Sequence, residues 1–252
     1  MKIYDTAIIG SGYTAMGYAL KKGNSIIIEE SETADVNFYL SLKNFFNNQY
    51  APKTEQGKAL LSLYESLNLF KGNEQNLNGF ECGFCEFVFQ NGLEFLFKTR
   101  VIDIQKENEV TKLSLITSGG IEYVYAKNVL DLTKSTPDSK TLTILYSTDC
   151  PTKTEELLKA TFSGCVVENA FYDNRYAVRI PVKVNADFND TKIEIFERWK
   201  KANPNAKILY FAPIFANVFS HSKDAMQDGY YLNPIEAFEY GVMLATNEKE
   251  GK

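Results

Sequence analysis

Asp5-Thr6-Ala7-Ile8-Ile9-Gly10-Ser11-Gly12-Tyr13-Thr14-Ala15 is the stretch on which the fold turns. Ile3–Ile9 is a short, mostly apolar run that ends in glycine, the pattern of a buried strand. Gly12–Lys22 follows with Ala15, Met16, Ala19 and Leu20 at helical spacing, and Gly23-Asn24 stops it. Ser25–Glu30 is a second strand, Ile26-Ile27-Ile28 followed by acid. The whole reads strand, G-x-G-x-x-A, helix, strand. Gly10 permits the tight turn out of the first strand. Gly12 lets a pyrophosphate approach the backbone, and Ala15 lets the helix pack closely on the strand. The helix start, Ser11 to Thr14, offers N–H groups and a positive dipole end to phosphates. Glu29 closes the second strand where an acid accepts ribose hydroxyls, with Glu30 beside it. A glycine turn in an α/β domain that binds no nucleotide has the same three small residues. The second strand and its terminal acid are what favour a dinucleotide site, and they do not choose between FAD and NAD.

Outward from this unit, residues 33–70 read as largely helical, most clearly over Thr54–Leu67, and residues 71–80 as a polar loop. From Leu93 the pattern shortens to alternating strands: Leu93–Lys98, Val101–Lys106, Lys112–Thr117 and Ile121–Tyr125. Val129-Leu130-Asp131-Leu132 returns as a separate apolar strand. Lys134–Lys140 is a polar link and the expected boundary between subdomains. Beyond it come a strand (Thr141–Ser147) and a helix opened by the capping box Thr152-x-x-Glu155. A strand pair lies within Cys165–Val184. A helix opens at Thr191-x-x-Glu194, a strand covers Lys207–Phe211, and a last helix starts near Pro234.

The opening Tyr4–Gly12 segment resembles the first strand and glycine turn of the glutathione-reductase-type, or two-dinucleotide-fold, FAD-dependent oxidoreductases. Leu93–Val101, the hairpins after it and Ala126–Thr133 look like that family's strand, three-stranded β-meander and return strand. Asn233-Pro234-Ile235-Glu236-Ala237-Phe238-Glu239-Tyr240-Gly241 is similar to its final segment. The resemblance implies non-covalent FAD, with the adenine held at Arg100 and Val101 and the return strand meeting the cofactor at Thr133. It also implies that Asn233, Pro234 and Ile235 face the pyrimidine end of the flavin. The family ends its return strand in Ala-Thr-Gly, where this chain has Asp131-Leu132-Thr133-Lys134. Pro234 at the first helical position and Asn233 as a cap suit a helix start.

These readings predict an α/β fold. A Rossmann-like FAD-binding domain with a β-meander covers 1–133 plus 207–252, and a β-rich α+β lobe is inserted at 134–206. The expected function is an FAD-dependent oxidoreductase acting on a small-molecule substrate, in a short form without the family's NAD(P)H domain. A non-catalytic FAD- or nucleotide-binding subunit or sensor is the alternative, and an NAD-binding protein a third reading. The chain has 252 residues, a net charge of −5 and no basic run, so it has no footprint for nucleic acid. It has no apolar run of the ~20 residues that span a bilayer, and its start has no signal-peptide pattern, which predicts a cytoplasmic protein. The sequence leaves oligomeric state open.

Cys82-Gly83-Phe84-Cys85 reads either as a redox dithiol or as two small residues buried among Phe80, Phe84, Phe87 and Phe89; burial is the expectation. Cys150 and Cys165 stand apart, so no zinc site is expected. His221, in a polar loop, reads as solvated or as a proton-transfer group near the flavin segment.

Overall fold

The computed structural model describes residues 2–42, 50–71, 74–133, 137–218 and 233–250. The first half runs Ile3–Ile9 (β1), Tyr13–Lys22 (α1), Ser25–Ile28 (β2), Val36–Tyr39 (α2), Glu55–Ser66 (α3), Phe70–Lys71 (β3), Glu74–Gln75 (β4), Leu77–Gln90 (α4), Glu94–Leu96 (β5), Arg100–Glu107 (β6), Val110–Thr117 (β7) and Gly120–Asp131 (β8). The second half runs Ser139–Ser147 (β9), Pro151–Thr161 (α5), Val166–Asn169 (β10), Arg175–Val182 (β11), Phe188–Ala202 (α6), Lys207–Phe211 (β12), Ala216–Val218 (β13) and Pro234–Glu250 (α7).

The first sheet has the order β5-β2-β1-β8-β7-β6. Its β5, β2, β1 and β8 are parallel and the last two strands antiparallel. Buried Ile8, Ile27 and Ala15 pack α1 onto it. The second sheet, β10-β11-β9-β12 with β13 also on β9, is antiparallel. One of its faces, with Leu142, Ile144, Tyr146, Val178 and Ile180, forms a core with Leu158, Ile195 and Trp199 of α5 and α6. The expected Rossmann-like α/β architecture and the α+β character of the second part are both present.

Several boundaries differ from the sequence reading. Ile121–Tyr125 and Val129–Leu132 are not two strands: β8 is continuous and changes partner, pairing β7 through Ala126 and β1 from Tyr125 onward. Polar Lys127 and Asn128, which lie between those two segments, are held by Asp5, at 2.7 Å from Lys127 Nζ to Oδ1 and 3.1 Å from Asn128 Nδ2 to the backbone oxygen. Residues 71–80 are not all loop, because β4 and the first turn of α4 fall there. Gly79 and Gly83 give α4 a flat stripe against Leu69; a Cβ on Gly79 would lie 2.4 Å from a Leu69 methyl. Helix α5 starts at Pro151 after Cys150, with no side-chain cap, so Thr152-x-x-Glu155 is not a capping box. Helix α6 starts earlier than Thr191, because Asp187 accepts the Asp190 N–H at 2.9 Å. Lys207–Phe211 and Ala216–Val218 hydrogen-bond to β9, so 207–218 shares the second sheet. Among the described residues after β13, α7 returns to the first.

Cys82 and Cys85 are exposed, against the expected burial. The inward face of α4 belongs to Phe80, Phe84 and Phe87 at helical spacing, while Phe89 is 85% exposed.

Candidate functional site

Strand β1 ends in a backbone conformation that selects glycine: Gly10 has φ +100° and donates its N–H to Ile28 O at 3.0 Å, which ties the turn to β2. Gly12 stands at the N-cap of α1, no side chain caps the helix there, and its first turn holds no acid. A helix start without a side-chain cap, with its positive dipole end, has the chemistry that suits an anion. Tyr13, Thr14 and Ala15 are fully or almost fully buried, which leaves backbone N–H groups, not side chains, as what this helix end offers. The segment after β2 folds over the turn, where Asp35 N–H donates to Ser11 Oγ at 3.2 Å. Tyr13 Oη lies 3.1 Å from Tyr39 Oη and 2.6 Å from Tyr64 Oη, and Tyr39 donates to Phe80 O at 3.2 Å. Burial, the first cause in each case, pushes all three phenols well above their ordinary value. They are neutral links that fix the start of α1 to α2, α3 and α4.

From Gly10 a cleft of about 660 Å³ runs past the C-terminal ends of β1, β2 and β8 to β6. Gly10, Glu29, Glu30, Arg100, Val101 and Thr133 all line it. It lies where β1 has neighbours reached from opposite directions, the crevice in which open α/β sheets bind ligands. Glu29 Oε1 accepts the Ser31 N–H at 2.8 Å, which holds the carboxylate at the strand end. Glu30 stands 3.7 Å from Arg100 in an exposed ion pair. Asp103 and Asp131 add two further carboxylates that the sequence reading did not assign to the site. Asp131 Oδ1 accepts both the backbone N–H (3.0 Å) and the hydroxyl (2.6 Å) of Thr133. Thr133 is thereby occupied with its own turn. These residues fit a dinucleotide in sign: carboxylates for ribose hydroxyls along the cleft, N–H donors for phosphate at the end of α1.

Helix α7 crosses α1 at two glycines. A Cβ on Gly17 would lie 2.0 Å from Phe238 O, and one on Gly241 would lie 2.0 Å from Thr14 O. The two backbones touch, and α7 begins seven residues before the crossing, roughly 10 Å along its axis. Asn233, Pro234 and Ile235 are buried there and do not line the cleft. Asn233 caps the helix as expected, with Oδ1 accepting the N–H groups of Ile235 (2.8 Å) and Glu236 (3.4 Å). Two first-turn donors expected to point at a ligand are therefore directed at Asn233. Further along, the buried carboxylate of Glu239 accepts from Tyr50 Oη (2.7 Å), Lys53 N (2.7 Å) and Thr54 N, which fixes α7 to the start of α3.

Cys85 of the Cys-x-x-Cys, although exposed, has its thiol pushed up by partial desolvation and then by Glu81 and Cys82, the opposite of an activated dithiol. His221 lies outside the described residues. Among the described residues no group of three His, Cys, Asp or Glu side chains gathers as metal ligands, and no helix is long and apolar enough to cross a membrane.

No family model and no curated protein matches the sequence. Solved structures do match. The p-nitrophenol 4-monooxygenase of Pseudomonas putida is 13% identical with a TM-score of 0.60, over 99% of this chain and 79% of the other. A flavoprotein/dehydrogenase from Cytophaga hutchinsonii is 10% identical with a TM-score of 0.54, over 100% of this chain and 80% of the other. Aklavinone-11 hydroxylase, solved with FAD and aklavinone, is 9% identical with a TM-score of 0.52, over 98% of this chain and 64% of the other. The chain has the fold of these proteins. At such identities the likeness concerns the fold alone, and it extends through both sheets. The second sheet thus belongs to the shared architecture.

Proposed function

We propose that the chain is a flavoprotein that binds FAD non-covalently and oxidises or reduces a small molecule. It would belong to the broad two-dinucleotide-fold superfamily, in a form with one glycine-rich βαβ unit. The carrying observation is that the uncapped start of α1, behind the Gly10–Gly12 turn, opens at one end of a cleft lined by Glu29, Arg100 and Val101. The pyrophosphate would meet the N–H groups of the α1 first turn, the ribose Glu29, and the adenine the backbone of β6 at Arg100 and Val101. FAD bound there would supply the two-electron chemistry, and the chain would supply the grip and the orientation. The sequence holds no second G-x-G-x-x-G/A strand–helix unit for a nicotinamide nucleotide.

A second reading, a binding module without turnover, draws on two features. Asp131 lines the cleft at the end of a return strand that lacks the Ala-Thr-Gly of the family it resembles, and two first-turn amides of α7 are already capped by Asn233. The test is FAD reconstitution followed by anaerobic addition of NADH, NADPH and candidate substrates. A yellow complex bleached by one of them supports the enzyme. A yellow complex inert to all of them supports the module, and no yellow complex removes both.

A further inference from the structure

A second cavity, of about 460 Å³, lies between the residues after β2 and the second sheet. Tyr39 and Leu42 form one wall; Leu145, Tyr172, Arg175 and Tyr210 form the other. Tyr39 is the residue whose hydroxyl reaches Tyr13 at the start of α1, so the cavity adjoins the phosphate-binding end of the first sheet.

The strand register explains which side chains line the cavity. Arg175 lies across from Ser147, and Ala177 from Leu145, on β11 and β9. Side chains of alternate residues share a face, so Leu145 and Arg175 stand together on the face opposite the α5–α6 core. The turn between β10 and β11 fixes the cation. Arg175 N–H donates to Tyr172 O at 3.2 Å, and Ala170 N–H donates to Arg175 O at 2.9 Å. Asn174 between them takes φ +56°. The guanidinium then lies on the Tyr172 ring, its carbon 4.9 Å from the centroid. Among the described residues no carboxylate pairs with Arg175. Glu81, which also lines the cavity, is engaged by the Thr33 hydroxyl at 2.6 Å.

An apolar and aromatic cavity of ligand size, with one oriented guanidinium that no carboxylate among the described residues pairs, selects a particular chemistry. A planar fork of N–H donors matches a carboxylate, and the aromatic and aliphatic walls match a flat apolar body. We propose that this cavity binds the substrate, and that the substrate is an organic carboxylate with an aromatic or similarly apolar body, its acid group held by Arg175. The proposal rests on the flavoprotein reading for the word substrate; the binding itself is measured without flavin.

The test uses naphthalene-2-carboxylate and its neutral counterpart naphthalene-2-carboxamide, titrated by calorimetry into the whole chain with and without FAD. The acid should bind at least tenfold more tightly than the amide. Arg175→Gln should weaken the acid roughly tenfold to a hundredfold, the range for a charge-assisted hydrogen bond, and leave the amide unchanged. Arg175→Lys should recover part of the loss. Leu145→Trp should abolish both by filling the cavity, with circular dichroism checking that the variant folds. Equal binding of acid and amide, or acid binding unaffected by Arg175→Gln, overturns the proposal. So does binding by a folded Leu145→Trp variant. A chain that binds the acid but not FAD would refute the flavoprotein reading and leave this site standing.

Discussion

Replacing Gly241 by alanine reverses the usual effect of that substitution. Glycine within a helix costs roughly 1 kcal/mol relative to alanine, so Gly→Ala in α7 would ordinarily stabilise the protein. At Gly241 the added methyl carbon would stand 2.0 Å from Thr14 O and 2.8 Å from Tyr18 N, where ordinary contact begins at 3.4 Å. Both are backbone atoms of α1, so no side chain can swing away, and the helices must part by more than an ångström. Overpacking of this kind costs about 1–3 kcal/mol or more, enough to outweigh the propensity gain. The expected result is a folded variant with a lower urea midpoint, an unchanged m-value and a melting temperature lower by on the order of 2–8 °C. Thr14 sits in the first turn of α1, so the same displacement should weaken FAD binding severalfold, although Gly241 does not line the cleft. A Gly241→Ala variant as stable as the parent, or more stable, would refute the backbone-contact geometry. The position of α7 against the phosphate turn would then have to be redrawn.

Other expectations concern carboxylates. Burial opposes ionisation of Glu239, but the N–H of Lys53, the hydroxyl of Tyr50 and the N–H of Thr54 outweigh it and hold the carboxyl below its ordinary 4.5. A depressed acid contributes stability that is full above pH 4.5 and is lost as pH falls through the folded value. Glu239→Gln should therefore flatten the acid limb of the stability profile, and an unaltered limb would show that these contacts are not made. Glu168 behaves oppositely, because burial, only partly offset by Arg179, raises its carboxyl to about 7. Wild-type stability should fall as pH rises from 4.5 through 7, and Glu168→Gln should remove that slope; a parallel slope in the variant counts against the shift. Glu29→Ala should weaken FAD binding by about 1–3 kcal/mol, the cost of leaving ribose hydroxyls unpaired. Equal affinity by titration would move the ribose contact to Glu30.

The first thirty residues were legible because backbone requirements there map onto residue type. A strand ending in positive φ asks for Gly10, and a close helix–strand contact asks for Ala15. Helix α7 was legible for the same reason, since Pro234 and Asn233 are a start and its cap. Features decided by tertiary partners were not legible. Lys127 and Asn128 look like a strand break until Asp5 is placed beside them. Helix α4 begins in a polar segment because Gly79 and Gly83 accommodate Leu69, and nothing local announces Leu69. Cys82 and Cys85 lie outside because three phenylalanines take the inward face, a phase that composition does not record. Within the candidate site, Gly10, Glu29, Glu30, Arg100, Val101 and Thr133 converge on one cleft from three separate stretches of sequence. Asp103 was missed because its place in the cleft follows from the register shift of β6 against β7 between Val101 and Asp103.

The central claim is that the Gly10–Gly12 turn and the start of α1 hold the pyrophosphate of FAD. Its most direct test is an FAD titration of the purified chain, followed by visible absorbance and flavin fluorescence, against a Gly12→Val variant shown to be folded. The account predicts a stoichiometric yellow complex in the parent and little or no bound flavin in the variant, because the valine side chain takes the space the phosphates need. Equal FAD binding by both proteins, or none by the parent, would contradict it.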